Sequence, residues 1–242
     1  MTLLHEYQNG TAYRREGLPA KDPHWQQGVG PFKSYAEGGA RVLALQRPST
    51  WPKADLWETL GARRSHRRFA EGPLAQQDLM LLLWAAQGIT QPGPWPFRTA
   101  PSAGALYPVE TYVCAARVEG IRPGVYHWEL PEGRLALVAG RNDVSAAARS
   151  ACLGQDMVSQ AAATFVWSAV WARSGQKYGD RALRYVYLDA GHLAENLHLA
   201  ATALGLGACM IGAFLDDAMN DLVGVDGDDE AVVYAACVGR PK

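Results

Sequence analysis

No stretch of the 242-residue chain approaches the ~18 consecutive apolar residues that a membrane-spanning helix needs. The first ten residues also lack the apolar run of a signal peptide, since they include His5, Glu6, Gln8 and Asn9. We therefore expect a soluble protein of the reducing cytoplasm without a membrane partner.

Cysteine is scarce, and its spacing excludes a CxxC metal or redox motif. A free cysteine packs as a small hydrophobic side chain, and two of the four lie in apolar, strand-like runs. We expect buried thiols and no metal site at the four positions, which are Cys114, Cys152, Cys209 and Cys237.

Neither sign of charge is in excess, because the formal net charge is -1. The chain as a whole therefore does not indicate a nucleic-acid partner. The patterns G-x-G-x-x-G and G-x-x-x-x-G-K-[ST] are missing, so neither a dinucleotide-binding Rossmann unit nor a P-loop is indicated. What is present, 48% hydrophobic and 19% charged residues, is typical of a globular protein.

Residues 1–50 are interrupted too often by glycine and proline to form long elements. A disordered tail would contain fewer aromatic residues than this segment, which carries Tyr7, Tyr13, Trp25, Phe32 and Tyr35. We predict an extended N-terminal arm that packs on the core or on a partner subunit, followed by one domain over residues 51–242.

The remaining sequence mixes helical and strand-like patterns without a regular βα alternation, which favours an α+β fold with a mainly antiparallel or mixed sheet. The predicted helices cover residues 53–61, 74–87, 143–161 and 181–204. The predicted strands cover residues 109–118, 124–130, 134–139, 163–172, 208–214 and 231–238, with a loop over 89–108. The last helix is apolar nearly all round, so it belongs in a core or a subunit interface.

A basic segment between the first two helices could hold a phosphate. Arginine binds phosphate through bidentate, charge-assisted hydrogen bonds, and a hydroxyl group adds a further donor. The alternative is a solvated basic loop or a weak nucleic-acid patch. The candidate residues are Arg63, Arg64, Ser65 and Arg67, and near the C-terminus Arg240 could reach the same phosphate or remain solvated.

Two segments rich in small residues could approach a flat ligand with their backbones. The first includes Pro101, Ser102 and Gly104. Its alternative interpretation is a turn that leads into the next strand. The second includes Ile211, Gly212 and Ala213. A packed helix-to-strand connection explains this second segment almost equally well.

Lys177 and Tyr178 stand together just before the predicted long helix. A lysine beside a tyrosine supplies a proton-transfer pair if the two side chains are partly buried. The alternative is an exposed helix start with Asp180 near its N-cap.

Taken together and in this order, these segments resemble the nitroreductase superfamily. The basic segment is similar to the family's N-terminal FMN motif, residues 101–104 (PSAG) to its PSAG segment, and residues 189–207 to its long helix and GLG exit. Four stretches resemble the SagB/ThcOx branch in particular, namely residues 11–14 (TAYR), 31–35 (PFKSY), 101–110 (PSAGALYPVE) and 177–181 (KYGDR). One departure is Glu195, where the family's helix typically has glutamine.

The resemblance implies a three-layer α+β sandwich that forms an intertwined homodimer with two FMN sites at the subunit interface. It assigns the FMN phosphate to Arg63, Arg64, Ser65 and Arg240, and the ribityl chain and pyrimidine edge to Arg67. It places Pro101, Ser102 and Gly104 against the flavin from the partner subunit. Beside flavin N5 it places Ile211, Gly212 and Ala213.

The same resemblance implies a two-electron oxidoreductase in which a hydride moves at flavin N5. Lys177 and Tyr178 match the pair with which azoline dehydrogenases help to remove a proton, so that a thiazoline or oxazoline becomes an azole. Reduction of nitro or quinone compounds, with NAD(P)H as hydride donor, is the competing enzymatic interpretation. A non-catalytic flavin-binding interaction module is the alternative of another class. The near-neutral charge and the lack of a recognised motif disfavour a nucleic-acid binder.

Overall fold

A computed structural model of the chain describes residues 2–13, 28–46, 50–93 and 96–242. The interpretations that involve Arg14, Trp25 and the 94–95 part of the predicted loop lie outside these residues.

The described residues form eight α-helices and nine β-strands. The helices are α1 (Leu3–Gly10), α2 (Leu56–Ala62), α3 (Gln76–Gln87), α4 (Val144–Ala151), α5 (Asp156–Gln160), α6 (Trp171–Tyr178), α7 (Ala182–Ala203) and α8 (Asp216–Val223). The strands are β1 (Val42–Ala44), β2 (Ile89–Gln91), β3 (Phe97–Arg98), β4 (Val109–Ala115), β5 (Gly124–Glu129), β6 (Arg134–Gly140), β7 (Ala163–Val170), β8 (Gly207–Ile211) and β9 (Glu230–Gly239).

Seven of the strands form one antiparallel sheet in the order β1-β6-β5-β4-β7-β9-β8, and β2 pairs with β3 separately. Every residue of β4 and β5 is buried. A strand covered on both faces lacks the regular alternation of a half-exposed strand, and β4 and β5 also bury the polar side chains of Glu110, His127 and Glu129. The α+β fold with a central antiparallel sheet is confirmed.

Helices cover both faces of this sheet and make the molecule a three-layer sandwich. On one face, α3 and α7 pack through side chains such as Leu197. On the other face, α4, α5 and α8 pack through side chains such as Met219. Because successive strand residues point to opposite faces, Phe165 of β7 belongs to the first core and Val166 to the second.

Three helices depart from the sequence expectation. The helix predicted over 143–161 is divided into α4 and α5, because Leu153 and Gly154 have left-handed φ values of 57° and 74°. The strand predicted over 163–172 ends at Val170, where α6 begins. The sequence analysis also missed α8, although it begins with two acidic residues and ends at Gly224 with φ of 75°, both of which are helix-end signals.

The N-terminal arm is corrected in one part. Residues 3–10 form helix α1 and are not extended, because no proline or internal glycine interrupts their helical hydrogen bonds. After α1, Arg181 Nη1 donates to the Thr11 carbonyl at 2.7 Å and Arg184 Nε donates to Thr11 Oγ1 at 2.6 Å. The part of the arm around Thr11 therefore packs on the start of α7 in its own chain. Contact with a partner subunit stays a prediction.

Candidate active site

The basic segment lies along the edge strand β8 and crosses the end of β9. Ser65 forms a parallel bridge with Ala208, and the His66 amide donates to the Ala208 carbonyl at 2.9 Å. Further along, the Ala70 amide donates to the Arg240 carbonyl at 2.9 Å. The backbone therefore brings the basic segment and the C-terminal arginine to the same edge of the sheet.

Two glycines make this crossing possible. A Cβ atom on Gly207 would lie 2.8 Å from His66 Cβ and 3.2 Å from Phe69 Cε1. A Cβ atom on Gly239 would lie 3.1 Å from Phe69 Cδ1. The second glycine of the GLG motif is thus needed for the close packing of the basic segment on β8.

Helix α7 contacts the basic segment through two of its side chains. Its His198 donates from Nε2 to the Arg64 carbonyl at 3.0 Å, and Oε1 of Glu195 lies 4.0 Å from Arg63 Nε. Glu195 is therefore a carboxylate at the border of a cluster of cations. At its surface the segment exposes Arg64, Ser65 and Arg67. Guanidinium and hydroxyl donors at such exposed positions can bind a phosphate dianion.

The C-terminal end of β8 and the residues after it lie further along the sheet edge than the basic segment. Ile211 is buried, whereas Gly212 and Ala213 are exposed, and the Ala213 carbonyl accepts from Gln155 Nε2 at 2.9 Å. At a rise of about 3.3 Å per strand residue, Ile211 lies roughly 10 Å along β8 from Ala208. The edge of the sheet thus presents a cationic end and, further along, a segment of small residues.

The loop that contains the PSAG segment is attached to α7. Ser102 Oγ donates to Asp189 Oδ2 at 2.5 Å and accepts from the Tyr107 amide at 2.9 Å, and the Ala103 amide donates to Asp189 Oδ1 at 3.3 Å. Burial raises the pKa of Asp189, and the hydrogen bonds from Ser102 and Ala103 oppose that rise. The hydroxyl of Ser102 is therefore used to fix the loop.

The same loop is unusual in its backbone. Gly104, Ala105 and Tyr107 have φ values of 65°, 56° and 48°. A non-glycine residue with a positive φ is energetically unfavourable. Such residues occur most often at functional sites. Such a loop persists because its surroundings hold it in place.

Lys177 and Tyr178 close over Gly104. A Cβ atom on Gly104 would lie 2.6 Å from Tyr178 Oη and 2.8 Å from Lys177 Nζ, so a larger residue at this left-handed position would push the ends of both side chains away from the loop. Lys177 Nζ lies 5.4 Å from the centroid of the Tyr178 ring. Two motifs that are far apart in the sequence therefore form one cluster.

The environment of Tyr178 makes its hydroxyl harder to ionise than that of an ordinary tyrosine. Burial raises the pKa of its hydroxyl, and the neighbouring Tyr185, Tyr13 and Asp189 raise it further. The rings of Tyr178 and Tyr185 pack edge to face with centroids 4.7 Å apart. Lys177 stands in the last turn of α6, directly before Tyr178.

Within one chain, the residues predicted for the site form two clusters. Helix α7 touches the PSAG loop through Asp189 and the basic segment through His198. Nine helical residues at about 1.5 Å each separate these contacts by roughly 13 Å. The structure thus places the basic segment, Arg240 and the end of β8 in one cluster, and the PSAG loop with Lys177 and Tyr178 in the other.

Three charged residues at this second cluster, Glu110, Arg173 and Asp189, were not predicted as site residues from the sequence. All three are buried. A signal existed, since Glu110 interrupts an apolar strand and Asp189 interrupts an apolar helix. A charge in such a run requires a partner, which predicts an ion pair or a hydrogen-bonded network.

All four cysteines are buried and free, as predicted. Burial raises the pKa of Cys114 and Cys237 to about 12 and that of Cys152 to about 11. In the part of the chain that the structure describes, no group of His, Cys, Asp or Glu side chains is arranged to hold a metal ion. No helix among the same residues combines the length and the apolarity that crossing a membrane requires.

The fold of an antiparallel sheet between two helical layers is shared with solved structures of proteins named as nitroreductases. The Nitroreductase family profile matches residues 60–240. A protein of Methanocaldococcus jannaschii named as a nitroreductase is 36% identical over 182 residues, which are 75% of this chain and 90% of that protein. The chain belongs to the nitroreductase family, whose members are oxidoreductases that typically bind FMN.

Two solved structures match nearly the whole chain. One from Anabaena variabilis, named as a nitroreductase, covers 99% of this chain with a TM-score of 0.78 at 27% identity, and the chain spans 47% of that protein. The other is the E. coli microcin synthetase McbBCD complex with truncated pro-MccB17 bound, which covers 99% of this chain and 92% of the matched chain. Its TM-score is 0.66 at 21% identity, so it shows a common fold that extends beyond residues 60–240.

Proposed function

We propose that the protein is an FMN-dependent dehydrogenase of the SagB/ThcOx type, which oxidises an azoline ring of a peptide or a related small substrate to an azole. The observation that carries this proposal is the close approach of Lys177 Nζ and Tyr178 Oη to Gly104. The fold similarity to the microcin synthetase complex also supports the proposal. That similarity covers 99% of this chain, whereas the family profile matches only residues 60–240.

The exposed edge of the sheet fits an FMN molecule in its donor set. Arg63, Arg64, Ser65 and Arg240 would hold the phosphate, and Arg67 would reach the ribityl chain and the pyrimidine edge. The small residues Ile211, Gly212 and Ala213, which begin roughly 10 Å further along β8, would leave room for a flat ring system. When bound, FMN supplies the acceptor for a hydride.

The second cluster supplies the proton chemistry. Oxidation of an azoline ring to an azole removes one hydride and one proton, so a proton acceptor must face the substrate. In its neutral form Lys177 would accept the proton at Nζ. Tyr178, whose pKa is raised by burial, would orient the substrate or the amine by donating a hydrogen bond from its hydroxyl.

A homodimer would complete the site. Helices α2 and α7 expose apolar side chains in the single chain, among them Trp57 of α2, which is 77% exposed. A second copy of the chain that covers these faces would bury Leu56, Trp57, Leu60, Tyr187 and Leu188. In that arrangement Pro101, Ser102 and Gly104 of the PSAG loop would approach the FMN held by the other subunit.

The first experiment is a visible spectrum of the protein purified without added cofactor, with mass spectrometry of any released chromophore. We expect absorption near ~450 nm and released FMN. A colourless protein that also fails to take up added FMN would contradict the assignment of the basic segment. The Arg67→Ala protein should bind FMN more weakly than wild type in the same measurement.

The second experiment tests the chemistry with an azoline-containing peptide. Lys177→Ala should keep bound FMN and lose turnover by roughly 10²-fold or more, the range typical of general acid–base groups. Lys53→Ala is the matched control, because it removes an exposed lysine that is distant from Lys177 in the sequence. Full turnover by Lys177→Ala would remove the proposed role of this lysine.

NAD(P)H-driven reduction of nitro or quinone compounds is the second candidate, because the Methanocaldococcus jannaschii relative carries the name of a nitroreductase. NADPH consumption with a quinone, without oxidation of the azoline peptide, would favour it. A flavoprotein that neither substrate nor reductant can cycle would instead indicate a non-catalytic flavin-binding module.

A further inference from the structure

A buried ion pair lies directly behind the Lys177–Tyr178 cluster. Arg173 of α6 is 2% exposed, and its Nη1 lies 2.5 Å from Oε1 of Glu110, the second residue of β4. The other carboxylate oxygen of Glu110 lies 2.7 Å from Nε2 of the buried His127. Burial alone raises the pKa of Glu110, but Arg173 and His127 outweigh burial and lower it to about 2. The carboxylate is therefore charged at neutral pH.

Such a pair is expensive to bury, because both charges lose their hydration. A hydrophobic pair of the same volume would often stabilise the core equally well. Stability alone therefore does not explain the Arg173–Glu110 pair. Its position between the PSAG loop and the helix that carries Lys177 suggests that the pair positions these two elements.

Arg173 joins the two parts of the cluster. It stands four residues before Lys177 in α6, and residues at this spacing lie on the same side of a helix. The same Nη1 donates to the Tyr107 carbonyl at 3.2 Å. Tyr107 is the left-handed residue at the end of the PSAG loop, and its amide is already bonded to Ser102. One guanidinium thus fixes the helix that carries Lys177 and the loop that carries Gly104.

A second buried arginine completes the surroundings of Tyr107. Arg98 lies with its guanidinium carbon 4.3 Å from the centroid of the Tyr107 ring, and the Arg98 amide donates to the Tyr107 hydroxyl at 3.2 Å. Arg98 Nη1 is bonded to Gln87 at 2.8 Å. Arg98 therefore holds the ring of Tyr107, whereas Arg173 holds its backbone.

We propose that Arg173, with Glu110 as its counter-ion, is a positioning residue that keeps Lys177 and Tyr178 in register with the PSAG loop at Gly104. This inference rests on the proposed function of Lys177, but its geometry can be tested without FMN or substrate. Arg173 touches neither the reacting atoms nor the cofactor in this assignment, so it acts through the helix and the loop.

The test uses the pH titration of Tyr178 in the FMN-free protein. Absorbance at 295 nm is recorded against pH for each protein and for its Tyr178→Phe counterpart, and the difference isolates Tyr178. In wild type we expect Tyr178 to ionise above the ordinary tyrosine pKa. Arg173→Met should lower this pKa towards the ordinary value, because α6 moves and exposes the hydroxyl, whereas Arg173→Lys should restore part of the difference.

Arg149→Met is the matched control, since Arg149 forms an exposed ion pair with Asp156 at 2.8 Å. It should leave the Tyr178 titration unchanged. If Arg173→Met does not fold, as judged by circular dichroism, Glu110→Gln replaces it, because the amide keeps the shape and removes the charge. An unchanged Tyr178 titration in a folded Arg173→Met or Glu110→Gln protein would overturn the inference.

Kinetics separate the positioning role from a purely structural one. With the azoline peptide, Arg173→Met should lower kcat by about 10²-fold, the cost typical of a 1 Å misplacement, with KM changed by only a few-fold. Arg173→Lys should recover at least tenfold of that loss. If the Tyr178 titration moves but Lys177→Ala retains full turnover, the proposed function fails and the positioning role remains.

Discussion

Replacing Gly207 with alanine adds a methyl group where the basic segment crosses β8. The new Cβ atom would lie 2.8 Å from His66 Cβ and 3.0 Å from His66 Cγ. The near atom belongs to the base of the side chain, so rotation of the imidazole cannot relieve the contact. The backbone of the basic segment must therefore move away from β8 by a few tenths of an ångström.

The size of the effect follows from two opposing contributions. Overpacking of this kind costs ~1–3 kcal/mol. Loss of glycine's freedom in the unfolded chain returns ~0.4–1 kcal/mol. The net loss of about 1–2 kcal/mol corresponds to a fall in melting temperature of roughly 2–8 °C for a chain of this length.

Ligand binding should suffer more than stability, because the displaced backbone carries Ser65 and Arg67. We expect the Kd for FMN to rise by about tenfold, equivalent to about 1.4 kcal/mol. Calorimetry and fluorescence titration with FMN measure the two effects. Gly38→Ala is the control, since nothing lies within 4 Å of a Cβ atom at that exposed position. A Gly207→Ala protein with the melting temperature and the FMN affinity of wild type would refute this account of the GLG motif.

Three further outcomes are expected. The free energy of unfolding should fall by about 3 kcal/mol as the pH drops from about 4.5 through about 2, because the folded-state pKa of Glu110 is depressed, and Glu110→Gln should remove this part of the acid sensitivity in chemical denaturation. The folded protein should not react with Ellman's reagent at pH 8, because a thiol with a pKa of about 12 is ionised to only about 10⁻⁴, whereas all four cysteines should react in denaturant. Glu195→Gln should tighten FMN binding by roughly two- to fivefold at low salt by releasing Arg63, and the gain should shrink in 0.5 M salt; weaker binding would contradict it.

The sheet was largely predictable from the sequence because its strands are short apolar runs bounded by turn residues. The hairpin between β5 and β6, with Gly133 at φ of 63°, is one case. Helix α6 was not predictable in this way, since the apolar run of β7 continues into Trp171 and local pattern gives no boundary there. The boundary depends on contacts distant in the sequence, such as the ion pair of Arg173 with Glu110 and the hydrogen bond from the Trp171 amide to the Asp229 carbonyl.

The candidate site also has a part that could be predicted from the sequence and a part that could not. The basic segment and the PSAG loop were recognisable as ordered motifs, because each needs particular residue types in a row. The contact between Gly104 and Tyr178 was not, since it depends on how a loop and a helix from distant parts of the chain fold over each other. Asp189 was not assigned to the site, because an acid within an apolar helix indicates a buried partner without identifying it, and that partner, Ser102, lies 87 residues away in the sequence.

Helix α7 sets a fixed spacing between the two clusters. Asp189 holds the PSAG loop and His198 holds the basic segment, and both stand on one uninterrupted helix. Inserting or deleting a single residue between them would rotate one contact by roughly 100° and shift it by about 1.5 Å relative to the other. This stretch can therefore change by substitution but not in length, and related chains should align across residues 189–198 without a gap.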